Sequence, residues 1–560
     1  MLSVWTWLAS VAPVVALFLL VATGRVGTRA ASLAVAGLTV LLAATVFQIG
    51  GPALAVALGK GLWLGGWILY VVFPAMLLYR LAERAGFTRI GELFQHLFPN
   101  RSENLLVLAW LLPAFVQGVA GFGTPIAVAA PLLLASGWSR ARAVAYPLIG
   151  YHWSVTFGSM GSSYYVAALT AHLGPAGSTL FAHSASLLLG VNCLVAGGLL
   201  LVMDGGWRGL KAGLPLLAGA GVPMALTLYA VTSVVPAIGS VAAGAVGFGC
   251  ALTLARLTRR RGSRAAEALA VASSRTTSAT FSPAPPVEGP DRAGAPGPTG
   301  AADEPADAAG PPRRAGWLVS PYLYLLGLAL VVLLVPASRA WAEDHLTFGP
   351  DFPATTTGRG WDTEAVVGYT PLHLFTHPGT YLVLACILGY ATYRLVGLWE
   401  TRPARELVAA WFSSVKSSAV SIVSLACVAT TMIQSGMIAT LARGAVAATG
   451  PVYPVLAPLI GAVGSFLTGS TTSSNALFSS LQAQVAVLLD LPAPLLLAAQ
   501  TAGANVGNSL APVVLVIGIS AVGGQVRASQ VLRIALVPAV VLLTVVVAIT
   551  ALRVVALAAA

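Results

Sequence analysis

Between Thr468 and Asn475 the chain reads TGSTTSSN, which places seven hydrogen-bonding side chains (Thr468, Ser470, Thr471, Thr472, Ser473, Ser474 and Asn475) within eight residues. The run lies inside an otherwise apolar stretch, Gly464 to Leu481. A second stretch, Ala114 to Pro131 (AFVQGVAGFGTPIAVAAP), is interrupted by Gly118, Gly121, Gly123 and Pro125, with Gln117 and Thr124 beside the break. A broken helix end presents free backbone N–H groups and the positive end of its dipole. Glycine lets that backbone approach a ligand closely. Such ends, with hydroxyl and amide donors beside them, can replace the hydration shell of a small carboxylate. A single Ser in a membrane helix more often bonds its own backbone or a neighbouring helix. Seven donors at a break that recurs point instead to a binding site.

Each stretch is followed by an apolar segment that is itself interrupted, near Gly158, Gly161, Ser162 and Ser163 and again around Gly503, Asn505, Gly507 and Asn508. Gly121 to Gly158 spans 37 residues and Gly469 to Gly507 spans 38. Irregular backbone at membrane depth is tolerated only where protein or a water-filled cavity satisfies its polar groups. Paired interruptions at corresponding places in two halves mark transporter binding sites. Two ionisable residues stand in apolar surroundings. His152, beside the first-half break, titrates near physiological pH; it is either a proton carrier or a neutral ring bonded to a backbone carbonyl. Lys416 is either an anion contact or a side chain snorkelling to the interface.

Other chemistries lack their residues. There is no HExxH or GxSxG motif and no carboxylate pair within an apolar run, which argues against an enzyme. His96, His152, His172 and His183 show no metal-ligand spacing, and Cys193, Cys250, Cys386 and Cys427 stand singly. No metal or cofactor is expected.

The elements that must hold these residues follow from composition. Hydrophobic residues make up 57% of the 560 and charged residues 9%, too few charges to solvate a soluble protein of this size. Apolar runs of about 20 residues recur, each long enough to cross a bilayer. The fold class is an all-α polytopic membrane protein with about twelve transmembrane helices and two re-entrant hairpins, at about 104–137 and 453–489. The net charge of +12 is mostly arginine in short loops. That follows the positive-inside rule rather than forming a nucleic-acid face.

Three regions result: a membrane half at 1–257, a disordered cytoplasmic linker at 258–315, rich in Ala, Pro, Gly and Ser, and a second half at 316–560. Residues 84–98 read as an amphipathic surface helix. The first apolar run, Leu2 to Val21, is followed rather than preceded by Arg25 and Arg29, so it reads as a retained helix with its N-terminus outside. Residues 338–370, with five acids, suit the outer face and are too short to bury much core. Threading the basic clusters to one side makes the first hairpin enter from the cytoplasm and the second from outside, an inverted repeat.

Gly118 to Pro125 (GVAGFGTP) and Leu467 to Asn475 (LTGSTTSSN) are similar to the EGAAGFG-like and TGSDTSSN-like hairpin motifs of the bacterial L-lactate permease family. The resemblance extends to Met203–Lys211 (MDGGWRGLK), Ser435–Ala442 (SGMIATLA) and Lys416, and covers the chain from about residue 100 onward, except the linker. It implies a proton-coupled importer in the bacterial plasma membrane for lactate and related 2-hydroxy-monocarboxylates such as glycolate. The implied partners are that anion, H⁺ and the lipid bilayer; the oligomeric state is open.

Three positions depart from the motifs: Gln117 stands for Glu, Thr471 for Asp and Asn508 for Lys. Two acids and one base are thus replaced together by neutral groups. Tyr151 and Trp153 would make the cavity more aromatic if they face it. The alternative is a divergent carrier for another organic anion with altered coupling, on the same scaffold. The expected binding residues are Gln117, Gly121, Gly123, Thr124, Ser470, Thr471, Thr472, Ser473, Ser474, Asn475, Asn505 and Asn508.

Overall fold

A computed structural model describes residues 4–22, 26–86, 97–98, 100–119, 121, 123–276, 315–399 and 404–559. An apolar chain in lipid must satisfy its backbone internally, and here it does so as helices. In order these are α1 (Val4–Ala22), α2 (Thr28–Thr45), α3 (Gly51–Arg84), α4 (Arg101–Leu106), α5 (Leu112–Val119), α6 (Thr124–Ala135), α7 (Arg140–Tyr151), α8 (Ser162–Thr170), α9 (Pro175–Thr232) and α10 (Gly239–Thr276). The second half supplies α11 (Ser320–Leu334), α12 (Pro336–Asp344), α13 (Pro378–Val396), α14 (Ala404–Gln434), α15 (Met437–Thr449), α16 (Tyr453–Thr468), α17 (Thr471–Leu488), α18 (Ala493–Ser509), α19 (Pro512–Ala521) and α20 (Ala528–Ala558). Among the described residues nine helices are long and apolar enough to cross a membrane, or eleven if each of two bent pairs is one span.

The tally differs from twelve partly because α9 is continuous by hydrogen bonding yet folds back on itself. Gly206 breaks it (φ 59°, ψ −148°), and Gly190 then lies against Ala225 and Gly197 against Leu217. These are the two antiparallel helices expected at 180–203 and 213–232. Arg101 clamps the turn by donating twice to Asp204, at 2.8 and 3.0 Å, while Trp138 Nε1 donates to the same carboxylate at 2.9 Å. The motif at Met203–Lys211 therefore builds a turn.

Both interrupted stretches form helix pairs that pack on themselves, α5 with α6 and α16 with α17. In the second pair Ser474 Oγ donates to the Gly461 carbonyl at 3.1 Å, and Gly464 lies against Phe478, so the arms are antiparallel around Gly469. Each broken segment then crosses over. Helix α8, beyond the first break, packs on α17, and α19, beyond the second, packs on α6. The second break falls at Leu510–Ala511, a few residues past the expected position: α18 runs unbroken to Ser509, and Pro512, which cannot continue it, opens α19.

The halves interlock elsewhere too. Helix α3 runs along α14, α1 and α2 pack on α15 and α14, and α20 packs on α7. One apolar core joins α1 and α2 to α14–α18, for example Leu17, Val35, Met432 and Tyr453.

Residues 347–373 hold two antiparallel strand pairs, β1 (Thr347–Phe348) with β4 (Leu372–His373) and β2 (Thr355–Thr356) with β3 (Asp362–Thr363). This loop lays aromatic rings on the helices. Phe352 meets Gly59, Trp361 lies on Gly436, and Trp361 Nε1 donates to the Ile433 carbonyl at 3.1 Å. Of the segment expected as a linker, 258–276 continues α10 as helix, in keeping with its Ala- and Arg-rich sequence. Residues 277–314 lie outside the described residues, as do residues 87–96 of the expected surface helix.

Candidate functional site

The breaks meet at one cavity. It is lined by Gln117, Gly123, Tyr151, Val155, Ser159, Ser162, Ser163, Gly469, Ser470, Thr471, Thr472, Asn508 and Val514. The lining residues come from all four interrupted segments.

Four helices begin here. Gly123 precedes α6 in a left-handed conformation (φ 85°) that favours glycine. Gly161 precedes α8 in the same way (φ 70°), so Ser162 and Ser163 form its first turn. Ser470 caps α17 by accepting from the Ser473 amide at 3.3 Å, with Thr471 and Thr472 next. Val514 lies in the first turn of α19. Neither Gly123 nor Gly161 supplies a side-chain cap; in these first turns the Thr124, Ser162 and Tyr164 amides donate to the Gly121, Ser159 and Thr156 carbonyls, and Pro125 has no N–H. Four positive helix ends around one cavity favour negative charge in it.

Four helices also end here, at Gln117 near the close of α5, Tyr151 closing α7, Gly469 capping α16 and Asn508 near the end of α18. Among the described residues no carboxylate, imidazole or ammonium lines the cavity. The backbone between α7 and α8 is strained: Ser159 (φ 46°) and Met160 (φ 55°) are left-handed without being glycine.

Of the expected residues, Gln117, Gly123, Ser470, Thr471, Thr472 and Asn508 line the cavity, and the Asn508 Oδ1 has no partner there. Gly121 sits beside it, where a Cβ would strike Ser159 Oγ. Thr124 is buried in the first turn of α6, its amide donating to the Gly121 carbonyl at 3.2 Å. Ser473 and Ser474 serve the hairpin itself, through the cap and the bond to Gly461.

Asn475 and Asn505 belong to a buried network that stitches the breaks together. Asn475 Nδ2 donates to the Ser163 carbonyl at 2.9 Å and to Thr501 Oγ1 at 2.7 Å, and Gln500 Nε2 donates to Asn475 Oδ1 at 2.9 Å. Thr156 Oγ1 donates to Asn505 Oδ1 at 2.9 Å. Thr472 and Ser163 share a hydroxyl bond of 2.8 Å across the α8–α17 seam.

His152 is fully buried but does not line the cavity. Its Nδ1 lies 2.8 Å from the Ile149 carbonyl and its Nε2 has no partner. Lys416 is exposed on α14, away from the cavity. Tyr151 faces in, whereas Trp153 is buried elsewhere. The lining residues Ser159, Ser162 and Ser163 were absent from the expected set. Their signal was present as the small polar residues around Gly158 and Gly161.

Comparison with known proteins finds one family along most of the chain. The model of the L-lactate permease family matches residues 6–287 and 317–557. The glycolate permease of Escherichia coli is 26% identical over 94% of this chain and 91% of its own length. The L-lactate permease of the same bacterium is 27% identical over 84% and 81%, and that of Bacillus subtilis 26% over 94% and 92%. A solved structure of the Alcanivorax borkumensis YdaH transporter aligns over 89% of this chain and 86% of its own, at 15% identity and a TM-score of 0.43. This multi-pass membrane protein is a transporter, not an enzyme, and it belongs to the L-lactate permease family.

Proposed function

We propose that the chain imports lactate or a related 2-hydroxy-monocarboxylate such as glycolate by proton symport. The observation that carries this reading is the convergence of four helix N-termini and six Ser and Thr side chains on one neutral cavity. The dipole ends and the hydroxyls take the carboxylate, and further hydroxyls take the 2-hydroxyl. The names of the similar permeases support the same substrates.

We assign the proton to His152. Its Nδ1–H donates to the Ile149 carbonyl, which leaves Nε2 a bare buried acceptor one residue from the cavity-lining Tyr151. We orient the chain with Arg80, Arg84 and Arg101 in the cytoplasm and the 346–376 loop outside. The crossed packing of α8 on α17 and of α19 on α6 supports reading the halves as an inverted repeat. A second reading, coupling to another cation, is favoured by the four helix C-termini and the lack of an acid among the described cavity residues.

Uptake of lactate and glycolate into proteoliposomes, with an imposed pH or sodium gradient, tests both. Proton symport predicts uptake that rises with an inward proton gradient, and a His152→Gln chain that no longer acidifies the lumen on substrate addition. Undiminished acidification by that variant removes His152 from the mechanism. Uptake driven by sodium alone selects the second reading.

A further inference from the structure

Lys60, in α3, is 8% exposed and makes no ion pair or hydrogen bond among the described residues. Its ammonium lies 5.7 Å from the ring centre of Phe352 and 5.5 Å from that of Tyr369. Those two rings meet edge to face at 5.5 Å, and the His172 ring lies 6.1 Å from Tyr369 and within the field of Lys60. The rings attract the charge, but they accept none of its three N–H bonds conventionally. Two acids near those rings in sequence are committed elsewhere: Asp351 accepts from the Gly368 amide at 2.7 Å, and Glu343 pairs with Arg339 at 2.8 Å. A buried cation without a counter-ion among the described residues is thus held on the face that carries the 346–376 loop.

Beside it lies a second cavity of about 60 Å³, lined among others by Thr170, His172, Trp361, Ser480 and Gln484. The Thr170 and Ser480 hydroxyls are buried and have no partner. This cavity is built on the same two helices as the first. Thr170 stands two turns along α8 from Ser162, and Ser480 two turns along α17 from Thr472, about 12 Å in each case. One seam therefore joins two polar cavities, and the outer one has the charge that the inner one lacks.

We propose that the outer cavity is a second anion site, where a small carboxylate arriving from the loop face is held by the Thr170 and Ser480 hydroxyls in the field of Lys60, with His172 and Trp361 against it. From there it passes along the α8–α17 seam to the inner cavity. The chemical class of its ligand rests on the transport reading above.

The test uses the full chain in proteoliposomes, with Cys250, the one native cysteine that is not buried, changed to Ser and Ser480→Cys as the probe. A charged maleimide added from outside labels the probe, with and without lactate. Lactate at ten times its dissociation constant slows labelling roughly tenfold. Lys60→Met raises the lactate concentration needed by roughly tenfold, and Lys60→Arg, which keeps the charge, restores protection. Protection that is absent, or that is the same in Lys60→Met as in the parent, overturns the outer site. Lactate uptake is measured on the same vesicles. Protection without uptake keeps the site and rejects the transport reading; uptake with Lys60-independent protection does the reverse.

Discussion

Gln117, Thr471 and Asn508, read from the sequence as replacing two acids and a base of the family motifs, all line the inner cavity. Their proximity gives the joint replacement a physical reason: a charge left alone in this small neutral space would have no partner. Restoring one acid tests this. Gln117→Glu places a carboxylate where a substrate carboxylate must come, so the half-saturation concentration rises at pH 7. Protonation removes the introduced charge. The defect should therefore shrink as pH falls through the titration of the new carboxyl and persist above it, as initial uptake rates at several pH values would report. Sequence reasoning found the hydroxyl run but not which members face inward. At about 100° per residue Ser474 turns away to Gly461, whereas Asn475 shares the face of Thr471 and Thr472 but lies one turn deeper, where it bonds Thr501 instead of lining the cavity. Lys416 resembled a ligand because it stands in an apolar segment, yet α14 turns it outward.

At the scale of elements, glycine positions carried most of the legible signal, and contacts explain why. A Cβ at Gly503 would run into the Pro458 backbone, and one at Gly507 into that of Ala462, so α16 and α18 touch through bare backbone. Gly150 meets the Ala109 carbonyl in the same manner where α7 crosses a π-helical turn at Val107–Leu111. Gly66, by contrast, has nothing near it. Gly503→Ala is expected to lower Tm or abolish folding, whereas Gly66→Ala raises stability by about 1 kcal/mol through helix propensity. Thermal unfolding of the purified variants compares them. The second break was misplaced by a few residues because Gly507 and Asn508 look like helix breakers in sequence. Here they are packing residues, and the stop is set by Pro512.

For the whole molecule, hydropathy and arginine placement revealed the helical membrane class, and hydropathy also revealed the doubled helix within α9. The crossing of α8 onto α17 and of α19 onto α6 was not legible, since nothing local in either helix names its partner across some 300 residues. The inner cavity is small, about 30 Å³, so a three-carbon acid is expected to widen it. We expect the α8–α17 seam to part as it does. Cysteines at Ser163 and Thr472, whose hydroxyls are 2.8 Å apart, should form a disulfide that stops lactate uptake, with reductant restoring it. Uptake that survives complete cross-linking would mean that the seam stays closed during transport.

The crossed half-helices also bear on ancestry. Each hairpin is covered by the other half's helix, and the inner cavity takes its lining from both halves. If the two halves descend from one duplicated unit, a single copy of that unit would not have closed this cavity. Two copies side by side would have done so, and fusion would then have preserved a partnership that already existed.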